Sequence, residues 1–138
     1  MILFVDDDIR PTNLYIRELT LRGYDVVQML DATTGYDYVV RHASTINLII
    51  ADIMMPPGSR YEDSDVDAGI SSGIALCFDI KRRYSSIDIL VLTNIADRGL
   101  LAPLADLRRI RVYRKQDLMP YELPSVVEEI LAGGEREH

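Results

Sequence analysis

Several short stretches of this chain are apolar at consecutive positions rather than at alternate ones, and that limits its fold more than any other feature. Leu48-Ile49-Ile50-Ala51 and Ile89-Leu90-Val91-Leu92 are the clearest examples. Successive side chains of a strand point to opposite faces, so a continuous apolar run implies burial on both. Sheets covered on both faces are characteristically parallel, with helices packed above and below. Residues 2–5, 24–29, 46–51, 87–92 and 110–113 share this composition and are read as five strands.

Helical patterns lie between them. Thr12, Tyr15, Ile16 and Leu19 share one face, with Pro11 suited to a first turn and Gly23 to a C-terminal cap. Ala32, Tyr36, Val39, Val40 and Ala43 follow helical spacing behind Asp31 as N-cap. Ile70, Ile74, Cys77, Lys81 and Tyr84 line a third helix, and Leu123, Val126, Val127, Ile130 and Leu131 a last one before Gly133-Gly134. Pro103 would break an established helix, so a short one beginning near Leu101 is expected. Strands alternating with helices give an α/β fold, a doubly wound (βα)5 parallel sheet. Right-handed crossovers favour the flavodoxin-like order 2-1-3-4-5.

The 138 residues fit one domain, expected over residues 1–132 with a flexible tail at 133–138. Hydrophobic residues at 48% and charged residues at 27% exclude disorder as the main state. A net charge of -7 disfavours direct binding to nucleic acid or to an anionic membrane. The single cysteine, Cys77, excludes an internal disulfide and fits a reducing compartment. No apolar run approaches the roughly 18 residues of a membrane span. The opening Met1-Ile2-Leu3-Phe4-Val5 meets Asp6-Asp7-Asp8 with neither basic start nor cleavage site, so a cytoplasmic protein is expected.

In such folds ligands bind outside the carboxyl ends of the strands. Strand 1 ends in Asp6-Asp7-Asp8, strand 3 in Asp52, strand 4 in Thr93-Asn94 and strand 5 in Lys115. Two carboxylates about 4 Å apart repel by about 4 kcal/mol at an effective dielectric near 20, so this cluster calls for countercharge. Lys115 and a divalent cation would supply it. Mg²⁺ suits an all-oxygen set, since it takes one or two carboxylates and keeps several waters, whereas zinc prefers nitrogen and sulfur.

Met1 apart, the segments Ile2-Leu3-Phe4-Val5-Asp6-Asp7, Leu48-Ile49-Ile50-Ala51-Asp52-Ile53-Met54-Met55-Pro56, Leu90-Val91-Leu92-Thr93 and Val112-Tyr113-Arg114-Lys115 together resemble the receiver domain of two-component response regulators. The resemblance covers nearly the whole chain and suggests a stand-alone receiver. It implies Asp52 as phosphoacceptor, with a sensor histidine kinase or a His-phosphotransfer protein as donor. It further implies Asp7 as direct Mg²⁺ ligand, Asp6 as a water-mediated one, and Asp52 and the Met54 carbonyl completing the set. Lys115 and Thr93 would contact the phosphoryl oxygens. Output is expected through an unidentified protein target.

Three departures from the family pattern stand out. Gln116 follows Lys115 where the family places proline after a cis bond, and a cis bond before another residue costs about 2.5–4 kcal/mol, so a trans peptide is expected. The family's switch aromatic lies three residues before the lysine, where this chain has Val112; Tyr113 falls on the opposite face and is expected to pack under a helix. Residues 57–72 form a long acidic loop with Glu62, Asp63, Asp65 and Asp67, expected to overhang Asp52 and to gate donor access or shape partner choice.

Other signals have plainer readings. Asp63-Ser64-Asp65-Val66-Asp67 resembles the start of a calcium loop, but Ala68 stands where glycine is required and Ile74 where a bidentate Glu belongs. Asp8 is read as a helix cap or as simply solvated, Lys81-Arg82-Arg83 as a helix C-terminus, Cys77 as an inert core residue, and His42 and His138 as lacking metal-ligand spacing. Arg108, Arg109, Arg111 and Arg114 form a basic cluster, read as helix-end complementation or a docking patch. Two alternative functions remain: a degenerate receiver acting as a phosphate-independent binding module, favoured by Gln116 and Val112, and a haloacid-dehalogenase-like phosphatase. The second takes Asp6-x-Asp8, Thr93 and Lys115 as its motifs, but has Arg10 where a threonine is expected and leaves Asp52 without a role.

Overall fold

The structure is a computed structural model that describes residues 1–56, 58–61, 72–95 and 98–133. Five parallel strands, β1 (Ile2–Val5), β2 (Val26–Met29), β3 (Leu48–Ala51), β4 (Asp88–Thr93) and β5 (Ile110–Arg114), form one sheet in the order β2-β1-β3-β4-β5. Helices α1 (Ile9–Leu21), α2 (Ala32–His42), α3 (Ser72–Arg83), α4 (Arg98–Leu101) and α5 (Leu123–Gly133) connect and cover it. Fold class and strand order are those read from the sequence.

The consecutive apolar runs behave as their pattern requires. Leu3, Val5, Ile49, Ala51, Ile89 and Val91 face α2 and α3, meeting Tyr36, Val39, Leu76, Cys77 and Ile80. Their neighbours Ile2, Phe4, Leu48, Ile50, Leu90 and Leu92 face the other way, toward Tyr15, Leu19, Leu123, Val127 and Ile130 of α1 and α5. The central strands β1, β3 and β4 are buried throughout, whereas β2 and β5, at the edges, are mostly half-buried.

Local chemistry ends the helices where expected. Asp31 accepts the Thr34 N–H at 2.8 Å as the N-cap of α2. Gly23, at φ 94°, takes the left-handed position after α1, donating to the Thr20 carbonyl while Tyr24 donates to that of Leu19. Asp8 occupies the N-cap of α1 but caps through its backbone carbonyl, which accepts from Thr12, and not through its side chain.

Some sequence readings are corrected. Strands β2, β3 and β4 begin later than expected, at Val26, Leu48 and Asp88. The chain ahead of Pro103 forms α4, and the proline then sits in the first turn of a 3-10 helix, where its missing N–H costs nothing. In α3 the inward stripe is Gly73, Leu76, Cys77 and Ile80, with Ile74 only half-buried; Ile70 lies outside the described residues. Leu131 turns outward at 39% exposure, because the stripe of α5 runs through Leu123, Val127 and Ile130. Lys81, by contrast, stands where expected, in the last turn of α3 and on its inward stripe, and is buried.

Candidate functional site

Parallel register delivers the acids to one place. Val5 and Ala51 are paired, so Asp6 and Asp52 leave adjacent strands at the same level of the carboxyl edge. The Asp52 N–H donates to the Val5 carbonyl at 3.1 Å and the Asp6 N–H to that of Met29 at 3.0 Å, which fixes both residues at their backbones. Asp6 is 1% exposed and Asp52 6%. From the end of β5, two strands and about 10 Å from β3, Lys115 reaches across. Its Nζ donates to Asp6 Oδ2 at 3.0 Å and to Asp52 Oδ2 at 3.1 Å.

The remaining carboxylate oxygens are held by backbone. Asp6 Oδ1 accepts the Asp8 N–H at 2.9 Å, and Asp52 Oδ1 accepts the Met54 N–H at 3.2 Å. Burial pushes the Asp6 carboxyl above its ordinary value; the Asp8 N–H opposes this, the charge of Asp52 adds to it, and Lys115 opposes it again. Burial alone would lower the Lys115 ammonium, but the charges of Asp52 and Asp6 and the hydrogen bonds to both hold it above its usual value.

The other expected site residues stand around this core. Asp7 is exposed beside it. Thr93 ends β4, fully buried, its Oγ1 accepting the Ile95 N–H at 3.2 Å. Met54 contributes its backbone while its side chain is exposed. Two carboxylates, Asp6 and Asp52, share one ammonium, with the exposed Asp7 next in the chain, an excess of negative charge that a divalent cation would offset. Among the described residues no three acidic, imidazole or thiol groups form a ready-made cage. An ion that keeps most of its waters fits an oxygen set of this kind, and zinc does not.

Supporting residues were not apparent in the sequence. Gln28 Nε2 donates to the Asp6 carbonyl at 2.8 Å. The Tyr15 hydroxyl donates to the Leu118 carbonyl at 2.7 Å and lies 3.4 Å from that of Lys115, tying α1 to the turn that follows β5. A glutamine in the otherwise apolar Val26-Val27-Gln28-Met29 was the one available signal for the first; Tyr15 reads simply as part of an apolar face. Gly73 is required by close approach: a Cβ there would stand 2.5 Å from the Asp52 carbonyl oxygen and from Ile53 Cα. With the Ser72 hydroxyl donating to the Met55 carbonyl at 2.7 Å, the start of α3 is fastened to the end of β3.

The departures resolve physically. No peptide bond among the described residues is cis, so Lys115–Gln116 is trans, and the chain turns directly into a 3-10 helix at Lys115–Asp117. Val112 is 40% exposed, while Tyr113 packs in the core beneath α1 and α5. The described start of the long loop, residues 58–61, does not overhang Asp52. Tyr61 is buried and its hydroxyl donates to Asp79 at 2.9 Å, seven residues and about 10 Å down α3 from its start. The Arg60 guanidinium lies 3.9 Å from the Tyr36 ring centre, and its Nε is 3.3 Å from Asp79. This stretch therefore descends between α2 and α3; Glu62, Asp63, Asp65 and Asp67 lie outside the described residues. The arginine cluster divides, with Arg109 engaging Asp88 and Arg111 engaging Glu129.

No protein-family model and no curated protein matches this sequence. Solved structures do resemble it. A CheY-like response regulator receiver domain protein from Methanospirillum hungatei JF-1 is 21% identical, with 99% of this chain and 97% of that one covered at a TM-score of 0.77. The receiver domain of NtrX from Brucella abortus is 20% identical, covering 96% and 99% at 0.74. The RcsB response regulator of Salmonella typhimurium is 24% identical at 0.78, with 99% of this chain but only 64% of that one covered. The structural neighbours are thus receiver domains of response regulators, and this chain has their fold.

Proposed function

We propose that this chain is a phosphorylation-dependent signalling switch that accepts a phosphoryl group on Asp52 from a histidine kinase or a His-phosphotransfer protein. The observation that carries the reading is Lys115 Nζ bridging Asp6 and Asp52 at the carboxyl edge. An oxygen of Asp52 attacks the donor's phosphorus in line, forming a P–O bond as the P–N bond to the donor imidazole breaks, with the electron pair leaving on nitrogen. Lys115 exchanges part of its contact with Asp52 for a phosphoryl oxygen. Thr93, whose hydroxyl can also donate, takes another and couples the event to the loop after β4. Water later hydrolyses the acyl phosphate.

Asp6, Asp7, Asp52 and the Met54 carbonyl would hold Mg²⁺, which when bound supplies charge neutralisation at the transferring phosphoryl group. Phosphatase chemistry on Asp6 is disfavoured, since it would leave Asp52, which shares the Lys115 ammonium with Asp6, without a role.

A protein donor is supported by exposed apolar side chains. Ile9, Leu14, Met54, Met119 and Tyr121 are 43–66% exposed on segments that follow Asp6, Asp52 and Lys115 in the chain, and Leu14 lines a cavity together with Lys115. Among the described residues no helix is long and apolar enough to cross a membrane. We place the switch in the cytoplasm, with a protein as its output target, and not among turnover enzymes.

Intact-mass measurement after incubation with Mg²⁺ and acetyl phosphate tests the reading. One phosphoryl adduct is expected, abolished in Asp52→Asn. Absence of any adduct in the wild-type protein would favour the phosphate-independent binding module instead, and an adduct that survives Asp52→Asn but not Asp6→Asn would favour the phosphatase.

A further inference from the structure

The opposite end of the sheet carries charge of the other sign. Ser85 and Ser86 lead into β4 and residues 106–109 into β5, so both turns lie at the amino edge, about 20 Å from Thr93 along a six-residue strand. Between them opens a cavity of about 370 Å³ lined by Lys81, Ser85, Ser86, Asp106, Arg108 and Arg109. Lys81 comes from the last turn of α3 and is 7% exposed. Its Nζ donates to the carbonyl of Ile87 and, at 3.4 Å, to that of Ser85. An ammonium carries three donors, and among the described residues its hydrogen-bond partners are these two neutral carbonyls, with no direct counterion.

The carboxylate nearest to hand is spent elsewhere. Asp88, at the start of β4, accepts from Arg109 Nε at 3.1 Å and from its terminal nitrogen at 3.0 Å. Arg109 holds φ 59°, a left-handed conformation that side chains rarely adopt, and its carbonyl accepts the Ile89 N–H at 3.1 Å. Such conformations persist where surrounding contacts over-determine them, and they gather at ligand clamps. Three cations thus line a cavity with Asp106 as the acid in its lining, in a chain whose net charge is -7.

We propose that this cavity binds a tetrahedral oxyanion, either free phosphate or the phosphate group of a small hydroxylated ester, with Lys81 and Arg108 as its cationic contacts and the Ser85 and Ser86 hydroxyls as further donors. The anion supplies the countercharge that Lys81 lacks, while Asp106 can accept from hydroxyls of an ester. Burial, and secondarily the charge of Arg109, lowers the Lys81 ammonium to about 8 against the opposing pull of Asp88 and Cys77. A bound anion reverses that shift, so affinity is greatest with Lys81 protonated and falls as pH rises above about 8. The groups facing Lys81 are Cys77 from its own helix, Asp88 from β4 and Arg109 from the turn before β5. Asp106 and Arg108 border the same cavity. The Cys77 thiol is pushed up to about 12 by burial, and carboxylates and guanidiniums ordinarily titrate well away from this range.

Amide shifts of the isotope-labelled full chain, followed at constant ionic strength, test this. Inorganic phosphate and glycerol phosphate are titrated in parallel against sodium chloride. Saturable shifts at Ser85, Ser86 and Leu107 to Ile110 are expected, tighter for glycerol phosphate if the natural ligand is an ester and equal for the two if it is the free ion. Arg108→Ala, at an exposed position, should weaken binding about tenfold, the worth of one charge-assisted contact. Lys81→Met should do the same, and should also abolish the loss of affinity for sulfate, an anion of constant charge, as pH is raised. Shifts that fail to saturate, that sodium chloride reproduces, or that Arg108→Ala leaves unchanged would overturn the site. So would pH-independent sulfate binding by the wild-type protein, which keeps the test decisive should Lys81→Met fail to fold.

Discussion

Lys115 and Lys81 stand at opposite ends of one sheet, both withdrawn from water, and their ammonium groups are driven in opposite directions. Lys115 is held above its ordinary value and Lys81 is lowered to about 8. Burial acts against the charge of both. The difference lies in the partners: among the described residues Lys115 meets two carboxylates that have no other cation, whereas Lys81 meets two carbonyls and lies near a carboxylate already occupied by Arg109. At the carboxyl edge two carboxylates therefore share one cation, and at the amino edge two cations stand near one buried carboxylate. Depth from solvent decides how much a charge matters, and the local tally decides its sign.

Removing a carboxylate at each end should break that symmetry most visibly. Asp88→Asn takes the anion from Arg109 and from the neighbourhood of Lys81, and should destabilise the fold by about 3 kcal/mol in denaturant unfolding, the scale for leaving a buried pair with one partner. Asp6→Asn should do the reverse. Its folded-state pKa lies above the unfolded value of 3.8, so the ionised carboxylate costs stability once pH exceeds the folded value, and the cost disappears as pH falls toward 3.8. The variant should be more stable than wild type at neutral pH in the absence of divalent cation, and the gain should fade on acidification. A loss of stability in Asp6→Asn at neutral pH would mean that Lys115 needs both acids, contrary to the tally.

The two lysines should also separate along the pH axis. Below about 8 Lys81 is protonated in both folded and unfolded chains and its cost is complete; between about 8 and 10.5 only the folded state gives up the proton, so stability rises with pH. The unfolding free energy of the wild type relative to Lys81→Met should climb by up to about 1.4 kcal/mol per pH unit across that window. Lys115 contributes in the opposite sense, since its stabilisation is full below 10.5 and lost as pH passes its raised folded-state value. A flat difference curve for Lys81→Met would place its amine in water.

How much of this was open to a reader of the sequence depends on which part of a residue acts. Runs such as Leu48-Ile49-Ile50-Ala51 declare two-sided burial, and once strand order follows, Asp6, Asp52 and Lys115 are brought to one edge by topology alone. Gln28 and Tyr15 act on backbone carbonyls of other elements, and no spacing rule exposes such contacts. Pro103 misled because a four-residue helix followed by a 3-10 turn lies below the length at which periodicity speaks. Leu131 has the right spacing but lies off the buried stripe of Leu123, Val127 and Ile130. At the amino edge, Lys81 looks like an ordinary helix-end cation, and its environment with Asp88 and Arg109 is assembled from the end of α3, the start of β4 and the turn before β5. Whether residues 134–138 form the expected tail lies outside the described residues.

The smallest effect isolates the backbone from the charge. Arg109 keeps φ 59° while its guanidinium grips Asp88, so two contributions of opposite sign meet in one residue. Arg109→Ala loses the ion pair and retains the strain of a side chain in the left-handed region, whereas Arg109→Gly loses the same pair but occupies that region freely. Both variants should be less stable than wild type, with the glycine form the more stable of the two by about 1 kcal/mol, the cost of that conformation for a residue with a Cβ. Equal stabilities would show that the turn relaxes to negative φ once the guanidinium is gone, so that the pair with Asp88 imposes the conformation. The full difference would show that the turn demands it, and that the arginine is tolerated there because the buried carboxylate at the amino edge holds its guanidinium.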